Sequence, residues 1–118
     1  MPTIMVVDDA AFMRMRCKKL LTQSGYDVIE AATGAQAVET YKKSKPDAVL
    51  LDITMPDMDG LTALKEMKKL DPDVRVAMVS AMGQQSVVMD ALKSGAKDFV
   101  VKPFEADRVL ATVKKLLE

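Results

Sequence analysis

The 118-residue sequence predicts an open α/β fold, a doubly wound parallel sheet of five strands with five helices on its two faces. Three observations lead there. Aliphatic runs of four or five residues recur along the chain, segments with apolar residues at helical spacing separate them, and the connections are short throughout. Strict alternation of strand and helix calls for parallel strands, because each helix must carry the chain back across a sheet face before the next strand begins. Five such units are too few for an eight-stranded barrel, so the sheet stays open.

Taken in order, the first strand is Thr3–Val7, and its helix shows a stripe of Met13, Cys17, Leu20 and Leu21. Gly25 stands where that helix must stop, a position suited to left-handed backbone. The second strand is Asp27–Ala31. Thr33 with Gln36 three residues later forms a capping box that opens the second helix, striped by Ala37, Val38 and Tyr41. Pro46 falls in the next connection, before the third strand at Ala48–Leu51. Leu61, Leu64 and Met67 mark the third helix, and Pro72 the connection after it. The fourth strand is Arg75–Val79; its helix carries Val88, Ala91 and Leu92 and ends at Gly95. The fifth strand is Lys97–Val101, and Val109, Leu110, Val113, Leu116 and Leu117 line the last helix. No linker or low-complexity segment interrupts the series, so residues 1–118 read as a single domain.

Composition removes several function classes. Seventeen basic residues balance seventeen acidic ones, which takes away the electrostatic footprint of a nucleic-acid binder and any pull toward an anionic membrane. The longest aliphatic run, Ala48–Leu51, is far too short to span a bilayer, and MPTIMVVDD lacks the basic start of a signal peptide, so a cytoplasmic protein without membrane insertion is expected. There is no histidine, which excludes a Ser-His-Asp triad and histidine metal ligation. The single cysteine, Cys17, reads as a small core side chain, and ten Met against five aromatics suggest a core filled with flexible aliphatic groups.

In an open sheet of this kind ligands bind outside the carboxyl ends of the strands. Strand one ends in Asp8-Asp9, strand three in Asp52, strand four in Ser80 and strand five in Lys102, whereas strand two ends in two alanines. Polar chemistry thus gathers at one edge if strand two is outermost and strands one and three flank the crevice. Two unit charges ~4 Å apart repel by about 4 kcal/mol at an effective dielectric near 20, so clustered carboxylates call for a cation. Oxygen ligands without histidine or thiolate favour Mg²⁺, or Mn²⁺ in its place, over zinc. Mg²⁺ readily takes a phosphate oxygen, which makes phosphoryl transfer the leading reaction class. Asp8 and Asp9 then hold the metal. Asp52 serves as ligand and as nucleophile, Ser80 bonds a phosphoryl oxygen, and Lys102 pairs with Asp52 before reaction and with phosphate after it.

VVDD at 6–9, LLDITMPDMDG at 50–60, VSAMG at 79–83 and VKPF at 101–104 resemble, in order and spacing, the receiver domain of two-component response regulators. The resemblance implies a flavodoxin-like sheet of order 2-1-3-4-5, dependence on Mg²⁺, and phosphorylation by phosphohistidine on a partner kinase. By motif, Asp52 is similar to the phosphoacceptor, Asp8 and Asp9 to the acidic metal site, and Thr54 to the residue whose backbone carbonyl joins them. Ser80 resembles the switch hydroxyl, Lys102 the family's lysine, Phe99 the switch aromatic, and Lys102-Pro103 the bond that is usually cis. Thr54 and Met82 fall where they modulate access of water to the site. Phe99 lacks the phenolic hydroxyl of the Tyr found in familiar members, so switching there must work through ring burial; Ser80 replaces the commoner Thr and keeps the hydroxyl.

Within the family, DDAAFMRM and SAMGQQ are similar to single-domain chemotaxis regulators of the CheY type. That implies the histidine kinase CheA, a flagellar motor switch protein such as FliM and a CheY phosphatase as partners. The implied contact face is helix four, strand five and helix five, with Gln84, Gln85, Lys97, Phe99 and Lys102 reading out phosphorylation. Two rival readings fit the same fold: a phosphorelay intermediate that hands phosphate to a histidine phosphotransfer protein, and a small Mg²⁺-dependent aspartyl-phosphate phosphatase. The second lacks any visible cap or substrate-binding insertion. A nucleotide-binding module fits less well, for no Gly-rich phosphate loop follows strand one. Asp57 and Asp59, beside Pro56 and Gly60, are expected to shape their loop and favour the positive start of helix three.

Overall fold

The computed structural model describes residues 1–55, 57–81 and 83–118, and in them strands and helices alternate from end to end. The order is β1 (Thr3–Val7), α1 (Ala11–Gln23), β2 (Asp27–Ala31), α2 (Gly34–Ser44), β3 (Ala48–Asp52), α3 (Gly60–Leu70), β4 (Val76–Ala81), α4 (Gln85–Lys93), β5 (Asp98–Lys102) and α5 (Ala106–Leu117). All paired strands are parallel, and the sheet order is β2-β1-β3-β4-β5.

β1 and β2 fall where the apolar runs place them. The other three strands reach further toward their carboxyl ends than hydropathy suggests. β3 takes in Asp52, β4 starts at Val76 instead of Arg75 and runs through Ser80 to Ala81, and β5 covers Asp98–Lys102 instead of Lys97–Val101. The ladder explains the shift: Asp52 pairs with Val79 and Ala81 with Lys102, so backbone hydrogen bonding extends over polar residues that hydropathy leaves outside.

Side chains alternate across the sheet and build two cores. Met5, Val7, Val49, Leu51 and Met78 face a layer made by Ala37 and Tyr41 of α2, Leu64 and Met67 of α3, and Val88 and Ala91 of α4. Ile4, Val6, Leu50, Ala77 and Val100 face Cys17 and Leu21 of α1 and Val109, Val113 and Leu116 of α5. Each helix therefore turns most of the stripe that marks it toward a core, with Met13 of α1 half-buried outside both. Both faces of the three inner strands are covered, which is why β3 is buried at every residue. Cys17 is a core side chain, and desolvation, with a smaller push from Asp8, raises its thiol pKa to about 11.

The boundary signals act as chemistry demands. Gly25 and Gly95 have φ of 94° and 114°, the left-handed backbone that ends α1 and α4. Thr33 Oγ1 accepts the Gln36 amide at 3.0 Å, while Gln36 Oε1 reaches back to the Ala32 amide at 2.6 Å, one residue beyond the usual capping-box partner. Asp59 caps α3, accepting from the Thr62 amide at 2.8 Å. Among the described residues no helix is long and apolar enough to cross a membrane.

Candidate functional site

Because β1 and β3 are neighbours, the acid after one and the acid ending the other lie side by side at the carboxyl edge. Asp8 is fixed by its whole residue. Its amide donates to the Ala31 carbonyl at 3.2 Å, its carbonyl accepts from Arg14 Nη1 at 2.7 Å, and Oδ1 accepts from the Ala10 amide at 2.9 Å. Asp8 and Asp52 are both buried, each 5 % exposed, whereas Asp9 is open to solvent. Asp8, Asp9 and Asp52 each bring a carboxylate oxygen within 4.8 Å of the other two.

Lys102, ending β5, reaches into this cluster from two strands away. Its Nζ lies 2.9 Å from Asp8 Oδ2 and 3.5 Å from Asp52 Oδ2. Burial works against the ammonium, but the bond to Asp8 and the charges of Asp52 and Asp8 outweigh it and hold its pKa above the ordinary lysine value. For Asp52 the balance falls the other way. Desolvation and repulsion by Asp8 exceed the help from Lys102 and the Thr54 amide, and the pKa rises to about 6. One ammonium thus faces three acids and does not neutralise them. An all-oxygen donor set with uncompensated negative charge fits a hard divalent cation.

Ser80, buried near the end of β4, faces the start of a groove of about 350 Å³ that continues past Val88 to Phe99 and Val101. Phe99 is half-buried in it. Thr54 is exposed; its hydroxyl accepts from Gln84 Nε2 at 2.8 Å, and Gln84 Oε1 accepts the Ala81 amide at 2.8 Å, so one side chain ties the loop after β3 to the end of β4. The Lys102-Pro103 peptide bond is cis. Met82 lies outside the described residues.

The structure separates some residues that the sequence groups. Lys97 precedes β5 and sits at the opposite, amino edge, beside Arg75 and Lys115, so it is remote from the groove that Gln84, Gln85 and Phe99 line. Asp57 does not serve α3: its carboxylate meets the Gly34 and Ala35 amides at 3.3 and 3.4 Å and caps α2 instead. Desolvation opposes ionisation there, but these amides and those of Met58 and Asp57 itself hold the pKa below the usual carboxylate range. Gly60 has a closer role than loop punctuation. A side chain at that position would collide with the Asp52 carbonyl oxygen and lie 2.8 Å from Ile53 Cα, and the Gly60 amide donates to the Ile53 carbonyl at 2.7 Å. Arg14, Gln84, Asp98 and Arg108 carry no local signal of their contacts, which depend on how distant elements meet.

The sequence pattern of the response regulator receiver domain matches residues 4–114, nearly the whole fold and every residue of the cluster. The chain belongs to the response regulator receiver family. It is 61% identical over 115 residues to chemotaxis protein CheY of Bacillus subtilis, covering 97% of this chain and 96% of that protein. It is 53% identical to CheY of Thermotoga maritima, covering 96% and 95%. Among solved structures, a CheX-CheY-BeF3-Mg²⁺ complex from Borrelia burgdorferi aligns with a TM-score of 0.93 at 39% identity, over 98% of this receiver and 89% of that chain. As a receiver of the CheY-like kind, the chain is related to proteins of two-component signalling and chemotaxis.

Proposed function

We propose that this receiver is a phosphorylation switch of bacterial chemotaxis, with Asp52 as phosphoacceptor. The observation that carries the reading is the setting of Asp52, a buried carboxylate beside a second buried acid, Asp8, with which it shares the Lys102 ammonium at the carboxyl edge of the sheet. An Asp52 oxygen attacks the phosphorus of a phosphohistidine on a histidine kinase of the CheA type. The P–N bond breaks, the imidazole leaves with the electron pair, and an acyl phosphate forms on this chain. Water later cleaves the acyl phosphate, so the only chemistry is the protein's own phosphorylation and dephosphorylation.

Asp8, Asp9, Asp52 and the Thr54 carbonyl would hold Mg²⁺, or Mn²⁺ as a substitute; the bound ion supplies charge neutralisation for the incoming phosphoryl oxygens. Lys102 exchanges part of its contact with Asp52 for phosphate. Ser80 turns its hydroxyl to a phosphoryl oxygen, and Phe99, in the same groove, turns inward into the space released. The altered surface of α4, β5 and α5 then binds a flagellar motor switch protein such as FliM. Thr54 and Met82 set the access of water, and a CheY phosphatase ends the signal. The CheY relatives support the chemotaxis setting, the solved CheX-CheY complex supports a protein partner for this kind of receiver, and the balanced charge gives no footprint of a nucleic-acid binder.

The test is Mg²⁺-dependent labelling from acetyl phosphate. Wild type should incorporate phosphate and Asp52→Asn should not; undiminished labelling of the variant would overturn the assignment.

A further inference from the structure

β5 is an edge of the sheet, so its outward backbone groups have no neighbouring strand. At Phe99 a side chain covers that edge: Arg108 Nη2 donates to the Phe99 carbonyl at 2.6 Å. The same nitrogen lies 3.5 Å from Asp98 Oδ1, and the guanidinium carbon is 6.0 Å from the centroid of the Phe99 ring. Asp98 is itself buried and takes no part in the chemistry at Asp52. Its Oδ2 accepts the hydroxyl of Thr112, which is fully buried in α5, at 2.9 Å, and Lys115 Nζ approaches Oδ1 at 3.9 Å. A buried acid therefore anchors a cation whose other contacts are the carbonyl and the ring of Phe99.

A phenylalanine has no hydroxyl with which to hold a chosen rotamer, whereas a guanidinium within about 6 Å of its ring attracts the π face. We infer that Arg108, anchored on Asp98, is a positioning residue of the switch: it holds the Phe99 ring in its present half-buried place, and the inward turn of the ring breaks that contact. The inference rests on the switching role proposed for Phe99. It adds a restraint that sets how far the equilibrium lies toward the resting form, and by linkage how tightly a phosphoryl mimic binds.

Fluorine NMR tests it. The chain has three phenylalanines, so 4-fluorophenylalanine labelling gives few signals, and the Phe99 signal is the one lost in Phe99→Leu. With Mg²⁺ and beryllofluoride the wild-type Phe99 signal should move. In Arg108→Ala, before any ligand is added, the signal should already lie part-way toward the activated position. Half-saturation should then need about two- to five-fold less beryllofluoride, the factor that loss of an exposed cation–π contact implies. Arg108→Lys should fall between the two. Asp98→Asn keeps an oxygen for the Thr112 hydroxyl while removing the anchoring charge; it should shift the signal in the same direction and serves if Arg108→Ala does not fold. If the wild-type signal moves while the variants match it in resting position and half-saturation, the restraint is overturned and the switch stands. If the wild-type signal stays fixed, the switching role of Phe99 fails and the restraint with it.

Discussion

The ammonium of Lys102 lies 2.9 Å from Asp8 Oδ2, closer than its 3.5 Å approach to Asp52. It thus contacts two of the three carboxylates that would hold a cation, and repels any dication that enters. Lys102→Met should therefore tighten Mg²⁺ binding roughly tenfold, a discounted share of the ~4 kcal/mol between unit charges at ~4 Å and a dielectric near 20. The same change should abolish phosphorylation. Mg²⁺ titration by calorimetry and acetyl phosphate labelling check the two halves.

Burial makes Asp52 costly to ionise, and this fixes a pH dependence. Its folded pKa of about 6 lies above the unfolded value of 3.8, so the folded state binds more protons between the two. The stabilisation is fully present below the unfolded value and is lost as pH rises through about 6. Asp52→Asn should accordingly be more stable than wild type by about 2–3 kcal/mol at pH 8 without Mg²⁺, with the difference vanishing toward pH 4. Urea unfolding at the two pH values measures it.

Gly60 starts α3 against the backbone of Asp52 itself. Gly60→Ala must push helix and strand apart, so a loss of about 1–3 kcal/mol is expected, together with slower phosphorylation because Asp52 moves. Denaturation and labelling rates report both effects. An unchanged labelling rate would show that the strand end does not yield.

Asp57 caps a helix that begins 23 residues before it. Asp57→Ala should speed amide exchange at Gly34 and Ala35 while sparing Thr62, whose amide Asp59 accepts. Because the Asp57 pKa is lowered, this protection should be present at neutral pH and fade as the carboxylate is protonated in acid. Hydrogen exchange of individual amides decides the matter.

Cys17 should be inert in the folded protein. Its buried thiol, with a pKa raised to about 11, holds almost no thiolate at neutral pH. A thiol reagent at pH 7.5 should react only as fast as the protein opens, and full denaturation should release one fast-reacting group.

Much of this molecule is legible in its sequence because period and punctuation act locally. The stripes of α2, α3 and α5, the stop at Gly25 and the cap at Thr33 each depend on neighbours within a few positions. The acids and Lys102 are legible for a different reason: once strands are parallel, everything at a strand's carboxyl end shares one edge. What stays hidden is the direction a polar side chain takes across elements. Nothing near Asp57 says that α2 lies within reach, and Asp98 opens a strand without any sign that Thr112 and Arg108 will surround it. Hydropathy also sets Asp52 and Lys102 outside their strands, because it does not register the ladder that draws them in.

The contact between Asp8 and Lys102 joins residues 94 positions apart. A chain emerging from the ribosome therefore carries its acids long before it has the cation that completes their setting. Only a molecule synthesised past β5, and folded, holds Asp8, Asp52 and Lys102 together. On the phosphoacceptor role proposed for Asp52, a copy that stops before Lys102 is expected to take little phosphate.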